Sequence, residues 1–112
     1  MGDYLDRMQH EEFWAIYLSG ANTVIDKVKI GQGGVSGVTV DHKLIVKRAL
    51  ELLASSIILV HNHPSGLARP SEEDKMLTNR IKAAASLFDI SVHDHIIITS
   101  GESFSFAENG LI

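Results

Sequence analysis

Apolar runs alternate with polar, glycine-bearing joints along most of this chain, and the period of the pattern changes from run to run. After a polar leader over residues 1–10, Phe13 to Leu18 is rich in aromatic and branched residues, the composition of a strand. Ser19-Gly20-Ala21-Asn22 supplies turn chemistry, and Val24, Val28 and Ile30 mark a returning strand. The glycines at 31, 33, 34 and 37 then loosen the chain into a loop or bulge. From Asp41, a good N-cap, the period becomes helical: Ile45, Ala49 and Leu52 recur on one face, widened by Leu44 and Leu53. The continuous apolar run of residues 55–60, SSIILV, suits a central buried strand. A second helix is predicted over 71–88, with Leu77, Ile81, Ala84 and Phe88 on one face. SVHDHIIIT (91–99) reads as a strand and ESFSF (102–106) as a short final one. The order ββαβαββ predicts one layered α/β domain with a mixed sheet.

Composition narrows the function classes. The chain has 112 residues, 45% apolar and 21% charged, ordinary for one globular domain with a single core. It has no cysteine, so any metal must be held by nitrogen and oxygen. No apolar run is long enough to span a bilayer, and the start lacks the basic flank and apolar core of a signal peptide, so a soluble, cytoplasmic protein is expected. The net charge is −4, with 10 basic against 14 acidic side chains. The densest basic cluster, Lys43, Lys47 and Arg48, is no broad footprint for a phosphate backbone, which argues against a nucleic-acid surface.

The chemistry concentrates in ILVHNHPSGLARPSEEDK, Ile58 to Lys75. Residues i and i+2 of a strand point to the same side, so His61 and His63 present two imidazoles to one point while Asn62 faces away. Pro64 stops the strand, Ser65-Gly66 turns the chain, and Pro70-Ser71 opens the next helix with Asp74 in its first turn. A loop of this length brings that carboxylate back beside the histidines. Two neutral imidazoles and one carboxylate, with water in the fourth position, make an open zinc site of the catalytic kind. Such a site also needs a base, for which Glu11 and Glu12, just before the first strand, are the upstream candidates. The Ser71 hydroxyl is placed to donate to a developing oxyanion.

Each piece has a plainer explanation. Ser71 and Asp74 resemble a capping box, and acids in a first helical turn favour the helix dipole. A His-x-His pair alone is more often incidental, and Glu11-Glu12 alone is an exposed acidic pair. It is the joint occurrence, at a strand end and a helix start, that points to a metal. His93 and His95 repeat the i, i+2 spacing, which allows a second metal site with Asp94 nearby, but within a core strand a structural or supporting role is expected of them, with Asp94 able to serve as a carboxylate partner to a ligand imidazole. His10 and His42 are assigned nothing, and Trp14 and Tyr17 are expected to pack the sheet. HNH at 61–63 is not the nuclease motif, whose residues lie far apart. GQGGVSG (31–37) is not a phosphate cradle, since no GK[ST] follows; a flap beside the site suits it better.

Glu11, then HNHP at 61–64, then SEED at 71–74 resembles the JAMM (MPN-plus) metalloprotease signature. The segments EEFWAIYLSGANTVI, ALELLASSIILVHNHPSG, PSEEDKMLT, DHIIIT and SFAENGLI together resemble the RadC family across almost the whole chain after the leader. That resemblance implies a JAB/MPN fold over 11–112, a three-layer α/β/α arrangement related to cytidine deaminases with helices on both faces of a mixed sheet. It implies zinc bound by His61, His63 and Asp74, with Glu11 rather than Glu12 as the base acting through the zinc-bound water and Ser71 steadying the oxyanion. The implied activity is hydrolysis of an amide bond in a peptide or protein substrate. Full-length RadC-like proteins carry an N-terminal helix-hairpin-helix-type region that this chain has no room for, so it reads as a free-standing member or an excised domain. Any DNA-repair role attached to that region finds no support in these residues. Two other classes stand beside the peptidase: a non-catalytic interaction module that keeps the metal site, and a DNA-processing protein.

Overall fold

The computed structural model describes residues 11–32, 40–64 and 66–112. The leader over 1–10 and most of the glycine-bearing segment read as a flap lie outside the described residues. The elements follow the predicted order: β1 (Glu12–Leu18), β2 (Val24–Gln32), α1 (His42–Leu52), β3 (Ser56–Asn62), α2 (Glu72–Ser86), β4 (Ser91–Ile98) and β5 (Ser103–Ser105). They build one five-stranded sheet in the order β2-β1-β3-β4-β5. β1 is antiparallel to both β2 and β3, β3 and β4 are parallel, and β5 returns antiparallel to β4, so the sheet is mixed as expected.

This topology decides where the helices lie. β2, β3 and β4 run in the same direction, and both crossovers, β2-α1-β3 and β3-α2-β4, move the same way across the sheet. Right-handed crossovers then put both helices on one face. The packing agrees: Ile45 and Ala49 of α1 join Ile81 and Ala85 of α2 in one core with Phe13, Ala15, Tyr17, Ile57 and Leu59. A helix on the opposite face, implied by the three-layer resemblance, is not among the described residues.

The period-two pattern of β1 is clean, with Phe13, Ala15 and Tyr17 turned into this core. Tyr17 reaches across to donate its hydroxyl proton to the Ile45 carbonyl at 2.9 Å, tying the sheet to α1. Helix α1 begins where predicted: the Asp41 side chain accepts from the Lys43 amide at 2.9 Å. It ends at Leu53, whose backbone is left-handed at φ 52 and whose amide faces the carbonyls of Ala49 and Leu50.

The buried stripes are rotated from the predicted ones. In α1 the inner residues are Ile45, Val46 and Ala49, while Leu44 and Leu53 are exposed. In α2 they are Thr78, Ile81 and Ala85, and Phe88, beyond the helix end, is exposed. The rotation of α2 turns a threonine toward the sheet, and that threonine belongs to the site. A smaller cluster of Ala68, Ile97 and Phe106, backed by Phe104, Leu111 and Ile112, closes the end of the sheet where the histidines lie. No helix among the described residues is long and apolar enough to cross a membrane.

Candidate metal centre

Strand β3 lies between β1 and β4, and its inward positions are Ile57, Leu59 and then His61. His61 replaces a core aliphatic at the end of that row and is buried. Its ring stacks on Phe13, the residue opposite it on β1, with centroids 5.4 Å apart. Asn62 points to the other face, where its buried side-chain oxygen accepts from the Glu12 amide at 2.6 Å. His63 follows as the chain leaves the sheet, its own amide still bonded to the Ile98 carbonyl at 3.0 Å. The His63 side chain is oriented by the next loop, since Nδ1 lies 3.0 Å from the Leu67 carbonyl. A carbonyl only accepts, so the proton is on Nδ1 and Nε2 faces the site.

Asp74 arrives from α2 through its helix cap. The Ser71 side chain accepts from the Asp74 amide at 3.0 Å, and the Ser71 amide donates to Asp74 Oδ2 at 2.8 Å. This is a complete capping box. It also fixes the carboxylate: Oδ2 lies 3.3 Å from His63 Nε2, and Oδ1 lies 3.5 Å from His61 Nε2. Asp74, which completes the cap of α2, is thus also one of the three residues that could hold a metal ion. The two Nε2 atoms are 2.7 Å apart, and the ligand atoms of His61, His63 and Asp74 all lie within 4.8 Å of one another.

Two imidazole nitrogens cannot face each other at that separation with lone pairs alone; a proton or a metal ion must lie between them. With no metal bound, a proton on His63 serves. The Asp74 carboxylate holds the His63 imidazolium above its ordinary range against the cost of burial, with help from the Leu67 carbonyl and the charge of Glu11. His61 behaves oppositely: burial lowers it to about 4, despite the attraction of Asp74. Burial pushes the Asp74 carboxyl up, but His63, His61 and the Ser71 amide and hydroxyl outweigh it and hold the group well below the usual carboxylate range. A site that already collects one positive charge between two nitrogens and a carboxylate can hold a metal ion instead.

Glu11 and Glu12 separate by strand parity. Phe13 shares the face of His61, so Glu12 lies on the opposite one, 1% exposed, accepting from the Trp14 indole at 3.0 Å with Lys29 at 4.0 Å. Glu11 is half-buried, and its charge is felt by His63. Ser71 is exposed beside Asp74, its oxygen accepting in the cap and its hydroxyl also acting on the Asp74 carboxylate.

The expectation for β4 needs correction. His93 and His95 do not share a face, because the register with β3 slips: Ile57 pairs with Val92 but Ile58 with Asp94. The extra residue is His93, which is exposed with Nε2 3.2 Å from the Asn22 side chain. His95 is fully buried, its Nε2 2.7 Å from His61 Nδ1. Asp94 is not the carboxylate partner of an imidazole; it accepts from the Ser105 hydroxyl at 2.6 Å and the Ala107 amide at 2.9 Å, shaping the turn after β5. Thr78, which contacts His95, and the Leu67 carbonyl were not foreseen. A threonine four residues after Asp74 on an otherwise apolar helix stripe was the one available signal.

Comparison with known proteins agrees with this architecture. The family model for the RadC-like JAB domain matches residues 1–111. A UPF0758 protein of Flavobacterium johnsoniae is 41% identical over 111 residues, covering 99% of this chain and 48% of that protein. One of Porphyromonas gingivalis is 44% identical over 110 residues, 97% of this chain and 48% of its own length. The UPF0758 protein YfjY of Escherichia coli K12 is 42% identical over 105 residues, 94% and 66% respectively. The chain thus spans about half the length of the first two of these relatives. With its mixed sheet, its paired histidines at the end of β3 and a family model that covers it almost end to end, this chain belongs to the RadC-like JAB domain family.

Proposed function

We propose that this domain is a zinc-dependent hydrolase of the JAMM type, cleaving an amide bond in a peptide or protein substrate. The observation that carries the reading is the convergence of His61 Nε2, His63 Nε2 and the Asp74 carboxylate within 4.8 Å, with no thiolate in the chain. Two nitrogens and one carboxylate oxygen match the open zinc sites of hydrolases and leave room for water and substrate. Zinc there supplies Lewis acidity and brings a water's pKa near neutrality.

The chain's own groups supply the rest. Glu11, on the His61 side of β1, takes the proton of the attacking water and returns it to the leaving amine. Ser71 keeps its oxygen in the helix cap and turns its hydroxyl proton from the Asp74 carboxylate to the oxyanion of the tetrahedral intermediate. The buried histidines and the Phe13 and Phe106 rings give the inner side of the site a dry wall, which strengthens each of these interactions.

The test is metal content followed by turnover. Native protein should carry about one zinc per chain, and His63→Ala and Asp74→Ala should lose it. Glu11→Gln should keep the metal and abolish cleavage of peptide and lysine-linked isopeptide substrates. Absence of zinc from native protein purified with added zinc and no chelator would sink the reading. Metal without cleavage of any such substrate, with Glu11→Gln indistinguishable from native protein, would leave a metal-holding interaction module.

A further inference from the structure

A hydroxyl group has one proton, and at Thr78 that proton is claimed. Thr78 Oγ1 donates to the Asp74 main-chain carbonyl at 2.8 Å, an acceptor that can give nothing back. Toward His95 Nδ1, 2.5 Å away, the same oxygen can then only accept. His95 therefore carries its proton on Nδ1. Its ring is fully buried, stacked on Phe106 with centroids 4.5 Å apart and met edge-on by Phe13, a setting that keeps the imidazole neutral. A neutral His95 with Nδ1 protonated has a lone pair on Nε2, and that atom faces His61 Nδ1 at 2.7 Å. So His61 donates from Nδ1, and its own lone pair is on Nε2, the atom turned toward His63 and Asp74.

We infer that Thr78 and His95 are positioning residues that lock His61 in the tautomer whose Nε2 lone pair is presented to the ion. For its purpose the inference rests on the metal reading above; the proton arrangement itself does not. The bonds run one way, from His61 through His95 and Thr78 to the carbonyl of Asp74, the residue whose side chain faces His61 from the other direction. The ring of contacts closes on Asp74, and any shift of that residue is felt by both ends of the site. The opposite direction is the harmful one. Were the hydroxyl proton given to His95 instead, His95 Nε2–H would donate to His61 Nδ1, and His61 would aim an N–H at the ion.

The residues differ from ordinary core packing in a way that can be measured. Long-range proton–nitrogen correlation spectra of the metal-free, nitrogen-15-labelled protein should show both His61 and His95 protonated at Nδ1 and bare at Nε2. In parallel, zinc affinity is measured by chelator competition. Thr78→Val, nearly the same shape without the hydroxyl, should bind zinc roughly 10- to 100-fold more weakly, as loss of an outer hydrogen bond to a ligand histidine does. Thr78→Ser should stay within a few-fold of native. His95→Gln, whose amide can both accept and donate, should bind more tightly than His95→Leu. A proton on His61 Nε2 in native protein overturns the inference whatever the zinc result, and needs no variant to fold. Native affinity in Thr78→Val overturns it too. Native protein that binds no zinc but shows the stated tautomers supports the proton arrangement and overturns the metal reading alone.

Discussion

Binding zinc to this site should release about one proton per chain at about pH 5.5, not two. An unperturbed histidine pair, each near its ordinary 6.5, would be almost fully charged there and would release close to two. Here the two imidazoles differ. His61, lowered to about 4 by burial, is only about 3% charged at that pH and has almost nothing to give up. His63, raised by Asp74, is charged and must lose its proton for Nε2 to bind. Between about pH 4 and the raised value of His63, zinc affinity should therefore climb about tenfold, or about 1.4 kcal/mol, per pH unit. In the metal-free fold the contributions have different signs: His61 and His95, kept neutral by burial, take stability away as pH falls below 6.5, while His63 acts the other way. The His63–Asp74 pair adds stability that is fully present between the ordinary carboxylate range and 6.5, lost as pH rises through the raised value of His63 and lost again in strong acid as Asp74 protonates. The assay is calorimetric titration of zinc in buffers of differing ionisation enthalpy. In Asp74→Asn the main support of the His63 charge is gone, so proton release at the same pH should fall below one as affinity drops. A native value near two protons would refute the reasoning, because it would mean that burial does not hold His61 neutral.

Three further outcomes follow from the packing. Ser71→Ala removes the N-cap of α2 and should cost about 1 kcal/mol in denaturant unfolding of the metal-free protein, with Ser71→Thr largely restoring it. Leu53→Gly relieves a left-handed backbone at a side chain that is 86% exposed; a relief of about 1–2 kcal/mol against the 0.5–1 kcal/mol entropic cost of glycine leaves a gain of about 0.5 kcal/mol, seen as a raised melting temperature. Leu59→Ala opens a cavity under the centre of the sheet and should cost about 2–5 kcal/mol by the same unfolding measurement.

Local signals carried most of the fold. The Asp41 cap, the alternation through Phe13, Ala15 and Tyr17 and the helical period through Ile45 and Ala49 are properties of neighbouring residues, and they appear where expected. The convergence of His61, His63 and Asp74 was legible in the same way, because the two histidines are two apart and Asp74 belongs to a cap with its own spacing rule. The missing parts depend on register between distant segments. One extra residue at His93 reverses the parity of β4, so the side chain that reaches His61 is His95, and Asp94 is turned to another task. No spacing within 91–99 announces that slip. The separation of Glu11 from Glu12 has the same character: it turns on which way β1 faces, and the pairing of Phe13 with His61 puts Glu12 on the opposite face. Helix placement was likewise a question of crossover direction, legible from strand order and not from composition.

The capping box has a consequence for motion. A helix terminus is ordinarily the part of a helix that frays first, and its amides exchange with solvent readily. In α2 the group that quiets the terminus is also the group an ion would grip, so a metal acts as a splint on the first turn. Occupancy of the site would then be written into the exchange rates of the Asp74 and Lys75 amides, main-chain groups that touch neither histidine. The start of one helix becomes a gauge of whether the domain is loaded.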